Sequence, residues 1–172
     1  MYLRTETIAE KKLIGKQLTM TFAEDKTVTL WQSFMPRRRE IQNNLNQDLI
    51  SLQLFGPNFN FEKFDPQMPF VKWAAVEASD FNTVPEGLET LILPAGLYAV
   101  FLHRGAAATA PQTFQYIFGA WLPASEFELD NRPQFEVLGA KYQNNSPASE
   151  EEIWIPVKPK NAIVPVRKSQ DA

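Results

Sequence analysis

Glu136 has the setting that most needs explaining. It sits in the run FEVLGAKY, residues 135–142, and a polar segment rich in Asn, Ser, Pro and Glu separates that run from a second one, IWIPV at 153–157. The pattern is that of two strands joined by a loop. Strand side chains alternate between faces, so Phe135, Val137 and Gly139 share one face while Glu136, Leu138, Ala140 and Tyr142 share the other. Both faces are largely apolar. A buried carboxylate without a partner is costly unless it is protonated or meets a cation. Two explanations stand side by side: a guest molecule comes to meet Glu136, or Glu136 lies at the strand start, where it reaches water or pairs with Lys141 or Arg132.

The aromatic residues suit the first explanation. Tyr98, Phe101, Trp121 and Trp154, with Tyr142, Tyr116 and Trp73, are candidates to line a ligand cavity around Glu136. Ring faces attract cations and planar apolar groups, and a desolvated carboxylate adds selectivity for charge. Such a site fits an amphipathic or cationic drug-like molecule. Each ring also has the plainer explanation of core packing, which is the expectation for Phe114 and Ile117. The same residue types admit a second chemistry, because a carboxylate in a dry site can serve as a general base. A hydrolase in which Glu136 activates water against an electrophilic substrate is therefore the alternative.

Other chemistries find little to work with. The chain has no Cys, so disulfides, thiolate metal sites and cysteine nucleophiles are excluded. His103 is the single histidine, with no imidazole or thiolate partner for a transition metal, and no Ser lies in a nucleophile-elbow context. At the end of a strand, His103 is expected at the surface. The glycines show neither dinucleotide nor phosphate-loop spacing, and no cofactor or metal is expected. The net charge of −3 and the absence of a basic stripe argue against nucleic acid and anionic membrane as general partners. Arg37, Arg38 and Arg39 are explained by a helix end. No run is long and apolar enough to span a membrane, and the start lacks a signal-peptide core, so a cytoplasmic location is expected. The acidic run Glu150, Glu151, Glu152 is expected in a solvated loop, with Glu152 alone able to turn inward on the face of Trp154.

The elements that must position Glu136 fall into an order that occurs twice. Residues 12–22 alternate as a half-buried strand. Asp25 can cap a helix from Thr27 to about Met35, which Pro36 kinks or ends. Residues 48–55 and 70–78 are strands, and the loop between them carries Phe59, Phe61 and Phe64, too aromatic for a plain linker. After a strand at 88–93, a strand at 97–103 precedes a helix opened by Thr109 and Pro111, whose stripe is Phe114, Ile117, Phe118, Trp121 and Leu122. A loop at 125–133 then leads to the two strands around Glu136. The fold class is α+β: two pseudo-symmetric βαββ units, about 12–79 and 97–157, forming a curved antiparallel sheet around a central ligand cleft, with helices on the outer face. One domain, 1–158, is expected, followed by a C-terminal tail, 159–172, in which AIVPV could add a short strand.

Four segments in this order, LWQSFMPRRREI, PEGLETLILPAGLYAVFLHRG, TFQYIFGAWLPASEFELDNRPQFEVLG and SEEEIWIPV, resemble the GyrI-like, AraC-type effector-binding small-molecule-binding domains. The resemblance runs over residues 8 to 158 and implies that family's pair of SHS2-like βαββ repeats around a cleft. In multidrug-sensing members a glutamate on a late strand meets cationic aromatic ligands, and Glu136 of FEVLG holds the matching position. Tyr98 and Phe101 of GLYAVF and Trp121 of WLP match pocket-side segments. Many members follow a DNA-binding helix-turn-helix; this sequence opens directly on the ligand domain, so no direct DNA contact is expected. The resemblance implies a stand-alone ligand sensor or sequestering protein related to transcription regulators. It also admits a hydrolase, or a gyrase-inhibitor-like protein meeting a regulator, a topoisomerase or a second copy of itself.

Overall fold

A computed structural model describes residues 1–61 and 63–161. Its first half consists of β1 (Tyr2–Ile8), β2 (Lys11–Met20), helix α1 (Thr27–Phe34) with a 3₁₀ continuation Met35–Glu40, β3 (Leu49–Phe55) and β4 (Phe70–Ala78). The second half repeats the order with β5 (Glu89–Leu93), β6 (Gly96–Arg104), α2 (Ala110–Tyr116), β7 (Phe127–Leu129), β8 (Gln134–Leu138) and β9 (Glu150–Pro159). Asp25 Oδ1 accepts the Thr27 N–H at 2.8 Å, which orders the entry to α1. The chain beyond Pro36 tightens into the 3₁₀ turns, and Arg37 pairs with Glu40 there while Arg38 donates to the Gln47 carbonyl.

The strands form one antiparallel sheet in the order β1-β6-β9-β8-β3-β4-β2-β5, with β7 added on β9. The halves meet where β3 pairs with β8. They meet again on the far side through a long ribbon. Ile8 faces Gly96, and three residues on, Lys11 faces Leu93, so the β1–β2 and β5–β6 chains stay in register across the break. Only two residues link β1 to β2, at opposite ends of the strand order, and only two link β5 to β6. Chain length alone therefore brings the sheet's two edges together, and the sheet curls on itself.

Curling gives the sheet an inner and an outer face. The inner face is filled by Leu13, Leu52, Trp73, Tyr98, Phe135 and Trp154, each no more than 7% exposed. On the outer face α1 covers Ile14, Ala74 and Val76 through Leu30 and Phe34, and the helical stretch that continues α2 covers Ala99, Phe101, Ile153 and Ile155 through Ile117. The alternation in the sequence carries this division: Ile50 and Leu52 of β3 point inward, Ser51 and Gln53 outward.

Several expectations need correction. The N-terminal residues form β1, because their partner β6 lies far along the chain and local pattern does not reveal it. The second helix is not uniform: α2 gives way to a π-helical stretch, Ile117–Trp121, and a last α turn, Leu122–Ala124, holding Pro123. The loop at 125–133 contains β7. Strand β8 stops at Leu138, so Ala140 and Tyr142 belong to the turn that follows rather than to the face of Glu136. His103 is 2% exposed, its Nδ1 2.8 Å from the Thr113 hydroxyl of α2. The acids Glu150, Glu151 and Glu152 begin β9 instead of lying in a loop. The short strand expected at 162–166 lies outside the described residues.

Candidate functional site

Strands β3 and β8 lie at the middle of the sheet, between the areas covered by the two helices. Ser51 faces Glu136 and Gln53 faces Gln134 across this pair, while Glu136 faces Ile153 on β9 and Gln53 faces Lys72 on β4. Directly paired residues project to the same side. Ile153 and Ala74 lie under the helices, so Ser51, Gln53, Lys72, Gln134 and Glu136 line the outer face between α1 and α2. Glu151, two residues before Ile153, joins them.

Glu136 is half-buried and makes no ion pair among the described residues. The Gln53 amide donates to both its oxygens, at 3.3 Å each. Neither cation considered from sequence reaches it: Lys141 pairs with Glu150, and Arg132 with Asp130. Burial pushes Glu151 up to about 7, the charge of Glu136 adds to the rise, and Lys72 opposes it. The Tyr142 hydroxyl is raised too, by burial and then by the charges of Glu151 and Glu136. The outer face thus holds Glu136, a second acid, Glu151, that burial and the charge of Glu136 keep protonated to about 7, and one lysine.

The other candidate rings go elsewhere. Tyr98, Trp73 and Trp154 lie on the inner face, away from Glu136. Tyr98 is wholly buried, its ring edge-on to Phe135 at 5.2 Å and capped by Arg132 at 4.6 Å, and its hydroxyl donates to the Pro133 carbonyl. Trp154 stacks on Phe135 and donates from its indole to Glu152, which Arg4 clasps with two nitrogens. Phe101 shares the outer face with Glu136 but is sealed under the second helix, edge-on to Trp121 at 4.9 Å. Trp121 also stacks on Tyr2, and Tyr116 beside it is 44% exposed over a shallow hollow. Of the seven rings, only the Tyr142 hydroxyl is shifted by the charge of Glu136.

Other rings take their place. In the β3–β4 loop Phe59 stacks on Phe55 at 4.1 Å, and Phe61 reaches across to stack on Phe118 of the second half at 4.0 Å. Beneath this loop is a cavity of about 280 Å³, walled by Phe55, Phe59, Phe61, Arg132, Pro133 and Gln134 among others. Gln134 and Glu136 are two residues apart on one strand face, so the carboxylate lies roughly 7 Å from the cavity's polar wall. Sequence reading flagged the aromatic loop but missed Gln53, Gln134, Lys72 and Glu151. The signal was the polar side of SLQLF, which reads as water-facing until its pairing with FEVLG is known.

The fold is shared with solved proteins. SAV2435, in a structure bound to tetraphenylphosphonium, superposes with a TM-score of 0.66 at 19% identity, covering 92% of this chain and 94% of that one. A hydrolase encoded by lin2189 from Listeria innocua gives a TM-score of 0.59 at 11% identity, covering 90% and 91%. In sequence, the transcriptional regulator BrlR of Pseudomonas aeruginosa is 25% identical over 146 residues, which cover 84% of this chain and 51% of the regulator. The chain thus spans about half the length of that curated relative. The GyrI-like small molecule binding domain matches residues 1–158, and this chain belongs to that family, whose relatives include effector-binding domains of transcription regulators.

Proposed function

We propose that this protein is a binding module for lipophilic aromatic cations, which it senses or sequesters, with Glu136 as the charge that receives them and Tyr142 beside it. The observation that carries this is the state of Glu136: half-buried between the two helices, hydrogen-bonded only through a long, shared contact from Gln53, and matched by no cation among the described residues. A charge held so is stabilised when a cation arrives. The relative SAV2435 has been seen with such a cation, tetraphenylphosphonium. Calorimetric titration with that compound tests the proposal. Saturable binding that weakens roughly ten-fold or more in Glu136→Gln supports it; unchanged affinity in the variant removes Glu136 from the site.

A second reading, hydrolysis, is favoured by the neighbouring Glu151. An acid that keeps its proton to about 7, next to a second carboxylate and a phenol, is arranged to donate a proton while Glu136 draws one from water. Turnover of strained electrophilic rings that is lost in both Glu136→Gln and Glu151→Gln would establish it, and stoichiometric binding without product would exclude it.

A further inference from the structure

The aromatic loop, the cavity below it, the buried Gln134 and the free oxygen of Gln53 are used by neither reading. Gln134 is 7% exposed and Gln53 is 5% exposed, unusually deep for amides. They face each other across β3 and β8. Gln134 lines the cavity, and its side-chain amide is not among the buried polar groups left without a partner in the described residues. Gln53 spends its N–H on Glu136, and its Oε1 is buried without a partner. Buried amides in folded proteins are nearly always satisfied, and leaving one unmet is costly. Here the unpartnered Gln53 Oε1, the Gln134 amide and the Glu136 carboxylate lie along one sheet face, and among the described residues the carboxylate is met by the Gln53 N–H alone. The cavity that Gln134 lines is walled as well by Phe55, Phe59 and Phe61.

We propose that this cavity is the ring subsite of a ligand whose cationic end carries N–H donors, an aryl amidine or an aminated heteroaromatic cation, and that Gln134 and Gln53 select it over a fully alkylated onium of equal charge. The ring lies against the phenylalanines, where planar cations gain from both stacking and the quadrupole. Its N–H groups meet Gln134 at the cavity wall and, one strand step along, Gln53 and Glu136. A quaternary cation satisfies the carboxylate by charge alone and leaves both amides unmet, the asymmetry by which a polar site rejects an analogue lacking its hydrogen bond. This inference rests on the binding role proposed above and names the ligand class for it.

The test compares two probes of one shape, a biphenyl amidine and its fully N-methylated analogue, by titration calorimetry, with tetraphenylphosphonium titrated into the unaltered protein alongside. The amidine should bind at least roughly ten-fold tighter than its methylated analogue, and Gln134→Leu and Gln53→Leu should each shrink that ratio. Because the readout is a ratio measured on one variant, partial unfolding, which lowers both affinities, does not imitate it. Equal binding of the two amidines, or a ratio that survives both substitutions, overturns the inference; if tetraphenylphosphonium still binds, the cation-binding role stands without it. Failure of all three probes sinks that role and this inference together.

Discussion

Phe61 of the first half stacks on Phe118 of the second, ring centroids 4.0 Å apart and planes 13° apart. The contact ends a line of rings from Phe22 through Phe55 and Phe59, so a loop that belongs to β3 and β4 is fastened to the opposite helix. Such pairs contribute about 1 kcal/mol beyond the area they bury. Phe61→Ala should therefore leave the fold intact and release the loop. Chymotrypsin cleavage at Phe59 and Phe64 should quicken several-fold while the melting temperature changes little. Cleavage no faster than in the parent would mean the loop is held by something else.

Glu151 makes the stability of the fold depend on pH. Its value in the folded chain, about 7, lies above its ordinary 4.5, chiefly because it is buried and then because of the charge of Glu136, with Lys72 pulling the other way. His103 stands opposite it on β6, and Tyr142 is beside it. A raised acid favours the folded state at low pH, and that advantage is lost as pH rises through about 7. Glu151→Gln should gain stability relative to the parent between about pH 5 and about pH 8, on the order of 2 kcal/mol after discounting for solvent. Urea melts at the two pH values check it, and parallel curves for the two proteins would refute it. Tetraphenylphosphonium affinity in the parent should climb over the same interval, since the second carboxylate then ionises, and Glu151→Gln should flatten that climb.

Most of the architecture was legible because it is written locally. Period-two alternation gave β2, β3 and β4, proline and helical spacing gave α1 and α2, and the doubled order gave the pseudo-symmetric halves. What escaped depends on pairing at a distance. Strand β1 is held by β6, about a hundred residues on, and has little apolar pattern of its own. The site escaped for a related reason. Alternation says that Tyr98 and Glu136 each occupy one side of a strand, but it does not say which sides coincide once the sheet curls. Trp73, Tyr98 and Trp154 turned inward to the core, and the polar side of β3, which looked like a solvent face, became the floor under Glu136.

Gly15 sits in β2 directly against β4, paired with Ala75. A Cβ there would collide with the Ala74 carbonyl oxygen and with Ala75, and both are backbone-fixed in a ladder nine pairs long. No rotamer change relieves a clash with backbone, so β2 would have to shift against both β4 and β5. Gly15→Ala should destabilise the protein by about 3 kcal/mol, whereas Gly56→Ala, where a Cβ meets nothing within 4 Å, should change it by less than about 0.5 kcal/mol. Chemical denaturation of the pair checks this, and equal midpoints would show that the β2–β4 contact yields.

Arg4 joins the edge strand β1 to β9 through Glu152, with nitrogens at 3.0 and 3.2 Å from its two oxygens, and its guanidinium lies 5.3 Å from the Trp154 ring centre. Glu152 in turn accepts the Trp154 indole N–H at 3.1 Å. Two donors, the Arg4 guanidinium and the Trp154 indole, share the Glu152 carboxylate, so removing any of the three changes the worth of the others. The arginine side chain is 41% exposed, which limits the ion pair to about 1 kcal/mol. Losing Glu152 costs more, since it strands an indole N–H in a half-dry setting. Glu152→Ala should therefore destabilise by about 2 kcal/mol, Arg4→Ala by about 1 kcal/mol, and the double variant by less than their sum. A thermodynamic cycle in urea measures the coupling; strict additivity would mean that Arg4 and Glu152 act independently and that β1 is held by its backbone ladder alone.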